Sequence, residues 1–217
     1  MGRTSAAVDR SALRRDQILG IAAEVFLRDG FSGAAMSDIA ERVGGSKATL
    51  YNYFPSKKDL FLAVIQDRAG QALEQLGPSS GDYADLAAAL RDIGLRTLRN
   101  VLGADSIAFY RLLISEAGRF PEIGTFFYAE HRRRIVAPLI PHLQRELDIA
   151  GLGFADHLEA GELFYDLCAG SIHRRALMGV PVASGNDAIA AQVDRAVTMF
   201  LRLCDRDGGS PRLLTVV

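Results

Sequence analysis

Apolar residues recur along this chain at the three-to-four spacing of amphipathic helices, and no stretch alternates as a half-buried strand would. Residues 1–9 read as a flexible tail. Ile18, Ala22, Val25 and Phe26 then define one buried face, and Gly30 stands where a left-handed helix end is wanted. A short helix over 36–43 turns Ile39, Ala40 and Val43 inward. Gly44 and Gly45 make a tight turn, Ser46 caps a third helix over 47–53, and Pro55 ends it. Ser56 caps a fourth helix, from Lys57 to about Leu76. Gly77-Pro78-Ser79-Ser80-Gly81 is a loop. Helices follow over 83–102, 105–118 and 122–149. Pro138 and Pro141 cannot both sit unstrained in the last of these, so a break near Ala137 is predicted, with Pro138 opening the second segment. Gly151 and Gly153 close it. Asp156 and Glu159 form a capping-box-like start for a helix over 157–178, which Gly179 and Pro181 close. A last helix covers 187–205. The expected fold is all-α, of about nine helices by periodicity.

Composition narrows what such a chain does. Its 217 residues are 49% hydrophobic, enough for a core, and the net charge of −1 rules out a uniformly basic nucleic-acid coat. Residues 1–60 carry nine Lys/Arg against seven Asp/Glu, and the remainder sixteen against nineteen. Any positive patch is therefore local and N-terminal. Cys168 and Cys204 are too few and too far apart for a zinc site or a disulfide framework. No apolar run nears the ~20 residues that span a bilayer, and the N-terminus lacks a signal-peptide core, so a cytoplasmic location is expected. No phosphate loop, metal-ligand spacing or nucleophile–base pairing is present, and four scattered histidines form no constellation. Neither catalysis nor a cofactor nor a metal is expected.

The unusual segment is the pair of short helices flanking Gly44-Gly45. A helix of about seven residues has little stability of its own. It makes sense when a scaffold holds it out to enter a major groove. Its polar positions, Lys47, Thr49, Tyr51, Asn52 and Tyr53, offer amine, hydroxyl and amide groups to phosphates and base edges, and Ala48 permits close approach. Lys57 and Lys58 stand at the next helix start, where backbone N–H groups favour a phosphate. Arg42 and the Arg10, Arg14 and Arg15 cluster offer further cations.

Residues 14–62 resemble the N-terminal domain of the tetracycline-repressor (TetR) family of bacterial regulators. The resemblance rests on Ile18-Leu19, Ala22, Phe26, Gly30-Phe31 and Asp38-Ile39-Ala40, and on the run from Ser46 to Lys57 (SKATLYNYFPSK) followed by Leu60-Phe61. It implies a three-helix DNA-binding domain over 10–56 and a ligand-sensing and dimerising helical bundle over 57–207, followed by a tail over 208–217. It implies that Ser46, Lys47, Ala48 and Asn52 face bases or nearby backbone. Thr49, Tyr51 and Tyr53 would meet phosphates and Lys57 would clamp another, while Leu50 and Phe54 anchor the helix. Two departures stand out. Ala34 and Ala35 occupy the place of the family's usual Thr or Ser before the second helix, and Gly45 replaces a small apolar residue in the turn.

The C-terminal part has looser likeness to multidrug-type (AcrR-like) sensor domains, through Phe109-Tyr110-Arg111 and Arg119-Phe120-Pro121-Glu122. Phe109, Leu113, Phe127, His131 and Tyr165 are the candidate pocket for an apolar or amphipathic effector. Glu116 or Asp166 is the candidate partner for a cationic one. Leu163 and Leu167, with Val193, Val197 and Phe200 of the last helix, are the candidate dimer seam. Together these imply a homodimeric regulator, a repressor by family default. It would read a near-palindrome one DNA turn apart and be released by a small molecule. The alternative is a ligand-binding protein whose head has lost DNA binding.

Overall fold

Helix boundaries follow the capping residues. In this computed structural model, which describes residues 3–76, 83–149 and 152–205 and leaves undescribed the side chains of 3–10, 72–76 and 130–134, all regular structure is helical. The elements are α1 (Arg3–Gly33), α2 (Met36–Val43), α3 (Lys47–Tyr53), α4 (Lys57–Leu76), α5 (Leu86–Val101), α6 (Ala104–Ala117), α7 (Pro121–Val136) and α8 (Ile140–Glu146). Then come α9 (His157–Tyr165), a π-helical turn (Asp166–Gly170), α10 (Ser171–Leu177) and α11 (Asn186–Cys204). The Ser46 hydroxyl accepts the Thr49 N–H at 3.1 Å, and that of Ser56 accepts the Asp59 N–H at 3.1 Å. Asp156 accepts the Glu159 N–H at 2.9 Å, while the Glu159 carboxylate reaches back to the Ala155 N–H at 2.6 Å. Each cap satisfies a first-turn donor that no helical carbonyl can reach.

Four boundaries differ from expectation. Helix α1 begins at Arg3, so residues 3–9, read as a tail, are helical. Gly30 does adopt a positive φ of 69°, but it bends α1 rather than ending it, and helix resumes to Gly33. The Glu116 carboxylate supports the bend by accepting the Phe31 N–H at 3.3 Å. The proline break falls over 137–139, and Pro141, not Pro138, lies in the first turn of α8. The helix expected over 157–178 is interrupted by the π-turn, which no residue pattern announces. The loop at 77–81 and the tail over 208–217 lie outside the described residues.

The chain divides into two compact units that do not follow its linear order. The first holds the chain up to Ala72 together with Ala108–Ala129; the second holds Leu73–Ile107 and the chain from Glu130 onward. In the first, Phe26, Phe31 and Phe61 pack edge-on or offset around Ile18, Ile39, Leu50 and Leu60. Leu112, Leu113 and Ile123 of α6 and α7 complete that core. In the second, α11 lies on α5 and on the π-turn, α8 packs on α9, and Phe164 and Phe200 meet edge to face at 5.5 Å.

Two glycines permit these approaches. A Cβ on Gly94 would stand 2.9 Å from Val193 Cγ1, and one on Gly161 would stand 2.2 Å from Val136 Cγ1. Alanine fits neither place without displacement of a buried neighbour. This close packing corrects part of the expected dimer seam. Val193 and Phe200 are 0% exposed, and Val197 is buried beside them, because the apolar stripe of α11 is consumed within its own protomer. Leu163 and Leu167 are half-buried. The outward side chains of α11 include Met199 and Leu203, each more than half exposed.

Candidate nucleic-acid interface

Helix α3 is anchored by two side chains and presented by the rest. Leu50 is 2% exposed and Phe54 3%, both in the first unit's core, which fixes the rotation of the helix about its axis. Lys47, Ala48, Thr49, Tyr51 and Asn52 are thereby left exposed, as is Ser46 at the cap. Tyr53 is half-buried against the core, so it offers an edge rather than a whole ring. The Ser46 and Thr49 hydroxyls lie 2.9 Å apart, pairing two of the expected contact groups in one orientation. Lys47 makes no ion pair among the described residues, so its ammonium is available to an anion.

The α2–α3 turn is held from behind. Gly44 has φ 73° and ψ 44°, the left-handed geometry that ends α2, and its N–H returns to the last turn. The Arg14 guanidinium donates to the Gly44 carbonyl at 3.2 Å, tying α1 to the turn. That guanidinium also occupies the space a Gly45 side chain would enter, 3.1 Å from an ideal Cβ. Glycine at 45 thus makes room for a brace. Arg15 lies over the Phe54 ring at 5.4 Å.

Several expected cations are already committed. Arg42 pairs with Glu24 at 2.5 Å, and Lys58 pairs with Glu122, whose carboxyl it holds below the usual range. Lys57 donates to the Ala34 carbonyl at 2.8 Å and the Ser32 carbonyl at 3.2 Å, and its ammonium sits 4.7 Å from the centre of the Phe31 ring. It staples α4 to the end of α1 and the residue that follows it. Sequence reasoning placed it at a phosphate because it stands at a helix start; its partners lie 23 and 25 residues away and leave no local signal. Arg119 reaches the same end of α1 through the Ser32 hydroxyl.

Ala35, the departure before α2, has the extended backbone of a capping residue and no side chain to cap with. Ala35→Ser is expected to stabilise the first unit by about 1 kcal/mol, seen as a higher denaturant midpoint. An unchanged midpoint would show that another group already serves those donors.

The expected effector residues are divided between the two units. Leu113 belongs to the first unit's core, and Phe109 and Phe127 are partly buried against it, in edge contact with each other at 6.0 Å. Glu116 is engaged at Phe31, and the His131 side chain lies outside those described. Tyr165 alone of the five lines a cavity in the second unit, between α5, the α7–α8 break and α9 with its π-turn. Ile93, Ile135, Val136, Leu139 and Phe164 form its apolar walls, and Gly94, Thr97 and Cys168 complete it. Burial pushes the Cys168 thiol up to about 12, so it stays protonated at neutral pH. No group of three or more His, Cys, Asp or Glu suited to a metal ion occurs among the described residues. No helix among them is long and apolar enough to cross a membrane.

Comparison with known proteins bears on both units. Residues 18–64 match the family described as "Bacterial regulatory proteins, tetR family", and residues 88–204 match "AefR-like transcriptional repressor, C-terminal domain". Over 53 residues, 24% of each chain, the protein is 51% identical to the HTH-type transcriptional activator FasR of Mycolicibacterium smegmatis. Over 95 residues it is 37% identical to the HTH-type transcriptional regulator RutR of Escherichia coli, 44% of this chain and 43% of that one. These matches span about a quarter and under half of the curated relatives' length. Among solved structures, the Flavonoid-responsive Regulator FrrA is 30% identical with a TM-score of 0.75, covering 90% of this chain and 98% of that one. A TetR-family regulator from Mesorhizobium loti shares the fold with a TM-score of 0.76 at 22% identity, over 89% and 98% of the two chains. With a C-terminal-domain match across more than half the chain, and a reader helix anchored by Leu50 and Phe54, this protein belongs to the TetR family of bacterial regulatory proteins.

Proposed function

We propose that the chain is a DNA-binding transcriptional repressor that holds a near-palindromic operator as a homodimer and releases it when a small molecule occupies the second unit. The carrying observation is the division of α3 into buried Leu50 and an exposed face of Lys47, Ala48, Thr49, Tyr51 and Asn52. A groove-reading helix needs this arrangement: an apolar anchor behind, and short polar groups ahead. Lys57 supports the reader more than it extends it. The dimer seam is drawn with Met178, just after α10, and the outward residues of α11, among them Met199 and Leu203, in place of buried Val193 and Phe200. Effector binding releases DNA only by the difference in its affinity for two conformations, typically about 1–3 kcal/mol.

The test is fluorescence anisotropy of the full chain with duplex from its own upstream region, repeated at several salt concentrations. Specific binding that weakens steeply with salt is expected, with Tyr51→Ala weakening it by at least about ten-fold while the dimer persists. Equal affinity for a scrambled duplex, or no effect of Tyr51→Ala, would overturn the assignment. The uncapped start of α2 keeps a second reading in play, a sensor whose head has lost DNA binding. Absence of any salt-dependent binding would select it.

A further inference from the structure

We infer that the second-unit cavity takes an uncharged, predominantly apolar ligand, and admits it by displacing the π-turn Asp166–Gly170 that forms one wall. The inference rests on the reading of that unit as an effector sensor.

The ligand class follows from the lining. Among the described residues it holds no Lys, Arg, Asp or Glu, and the polar side-chain atoms are confined to Thr97, Tyr165 and Cys168. A charged group moved there would lose its hydration with no counter-charge to meet, a penalty of several kcal/mol. Asp166, the residue best placed in sequence to offer a charge, is exposed and outside the lining. With walls of Ile93, Ile135, Val136, Leu139 and Phe164, most of the ligand's surface must be apolar.

The moving wall follows from volume and packing. The cavity has a free volume of about 10 Å³, room for one water, whereas drug-sized sites run to about 300 Å³ or more. Some wall must therefore yield. Neither helix contact at the glycines has room even for a methyl: a Cβ on Gly94 would meet Val193 and Phe164 within 3.3 Å, and one on Gly161 would meet Val136 at 2.2 Å. The π-turn is different. Its wide register is rare and recurs at functional positions, and it carries Cys168 into the lining. From α11, Gln192 Nε2 donates to the carbonyls of Leu167 and Cys168, each at 3.1 Å, while Arg195 holds the Gln192 amide oxygen at 2.7 Å. This amide is a latch on the closed turn. Because α10 continues directly from the turn, displacement there reaches the face proposed for the dimer.

The test titrates the purified full chain with three dyes: neutral N-phenyl-1-naphthylamine, anionic 1-anilinonaphthalene-8-sulfonate and cationic rhodamine 6G. The neutral dye is expected to bind at least about ten-fold more tightly than either charged one. Thr97→Leu and Cys168→Leu fill the cavity by separate routes, and whichever melts cooperatively should bind it about ten-fold more weakly. Gln192→Leu, which frees the latch, should bind it several-fold more tightly. A charged dye binding as well as the neutral one, or filled variants binding it unchanged, would overturn the ligand class and site. Unchanged or weaker binding in Gln192→Leu would overturn the wall. Operator affinity is measured on the same preparations. Dye failure with operator binding retained sinks this inference alone; dye binding as expected without operator binding sinks the regulatory reading alone.

Discussion

Lys57→Met is expected to destabilise the first unit by about 1–3 kcal/mol, yet to leave the salt dependence of operator binding unchanged. The ammonium satisfies the carbonyls of Ala34 and Ser32 and lies against the face of Phe31. Methionine keeps the stem and the packing but deprives two acceptors of a charged donor. Lys47→Met should behave in the opposite way. Its side chain is exposed and makes no ion pair among the described residues, so the loss leaves stability alone. If each subunit's Lys47 meets a phosphate, the slope of log affinity against log salt falls in magnitude by about 1.8 per dimer, about 0.9 for each charge removed. Urea denaturation and salt-titrated anisotropy of both variants separate a brace from a contact. A Lys57→Met slope reduced as much as that of Lys47→Met would put the Lys57 ammonium on a phosphate after all.

In the second unit, Gly161→Ala should cost about 2–3 kcal/mol, although alanine is the better helix former by about 1 kcal/mol. An ideal methyl there falls 2.2 Å from Val136 Cγ1, and Val136 is 1% exposed, branched at Cβ and unable to swing aside. Strain of that size lowers the melting temperature of a chain this long by roughly 4–12 °C. Pairing it with Val136→Ala should restore part of the loss, because the second change removes the methyl that the first strikes. The double-mutant cycle should show a favourable coupling of about 1–3 kcal/mol. Additive losses, or a single variant that melts with the parent, would mean that α7 and α9 are not in this register.

The sequence shows which residues are buried more readily than what they are buried against. Ser46, Ser56 and Asp156 announce their helices because a cap acts within four residues of itself, and the α3 reader is legible for the same reason. The stripe on α11 was also real. A stripe, however, does not say whether its cover is another helix of the same protomer or a second copy, and here Val193 and Phe200 face inward. The aromatics of α6 and α7 pose the same ambiguity: Phe109 and Phe127 are partly buried against the first unit's core, and no spacing in the sequence tells such a cover from a pocket wall. The cavity residues left fainter traces. Gly94 and Gly161, small residues inside apolar helices, were the one available hint of close approach, and nothing in 166–170 distinguishes a π-turn from an α-turn.

The first unit is discontinuous, and this bears on how the protein is made. Its apolar centre lacks Leu112, Leu113 and Ile123 until they have left the ribosome. At bacterial elongation rates the wait between Ala72 and Ala129 is roughly 3–11 seconds. During that interval the nascent head exposes the surface that α6 and α7 will later cover. The nascent head thus becomes a finished module only when the middle of the chain has emerged.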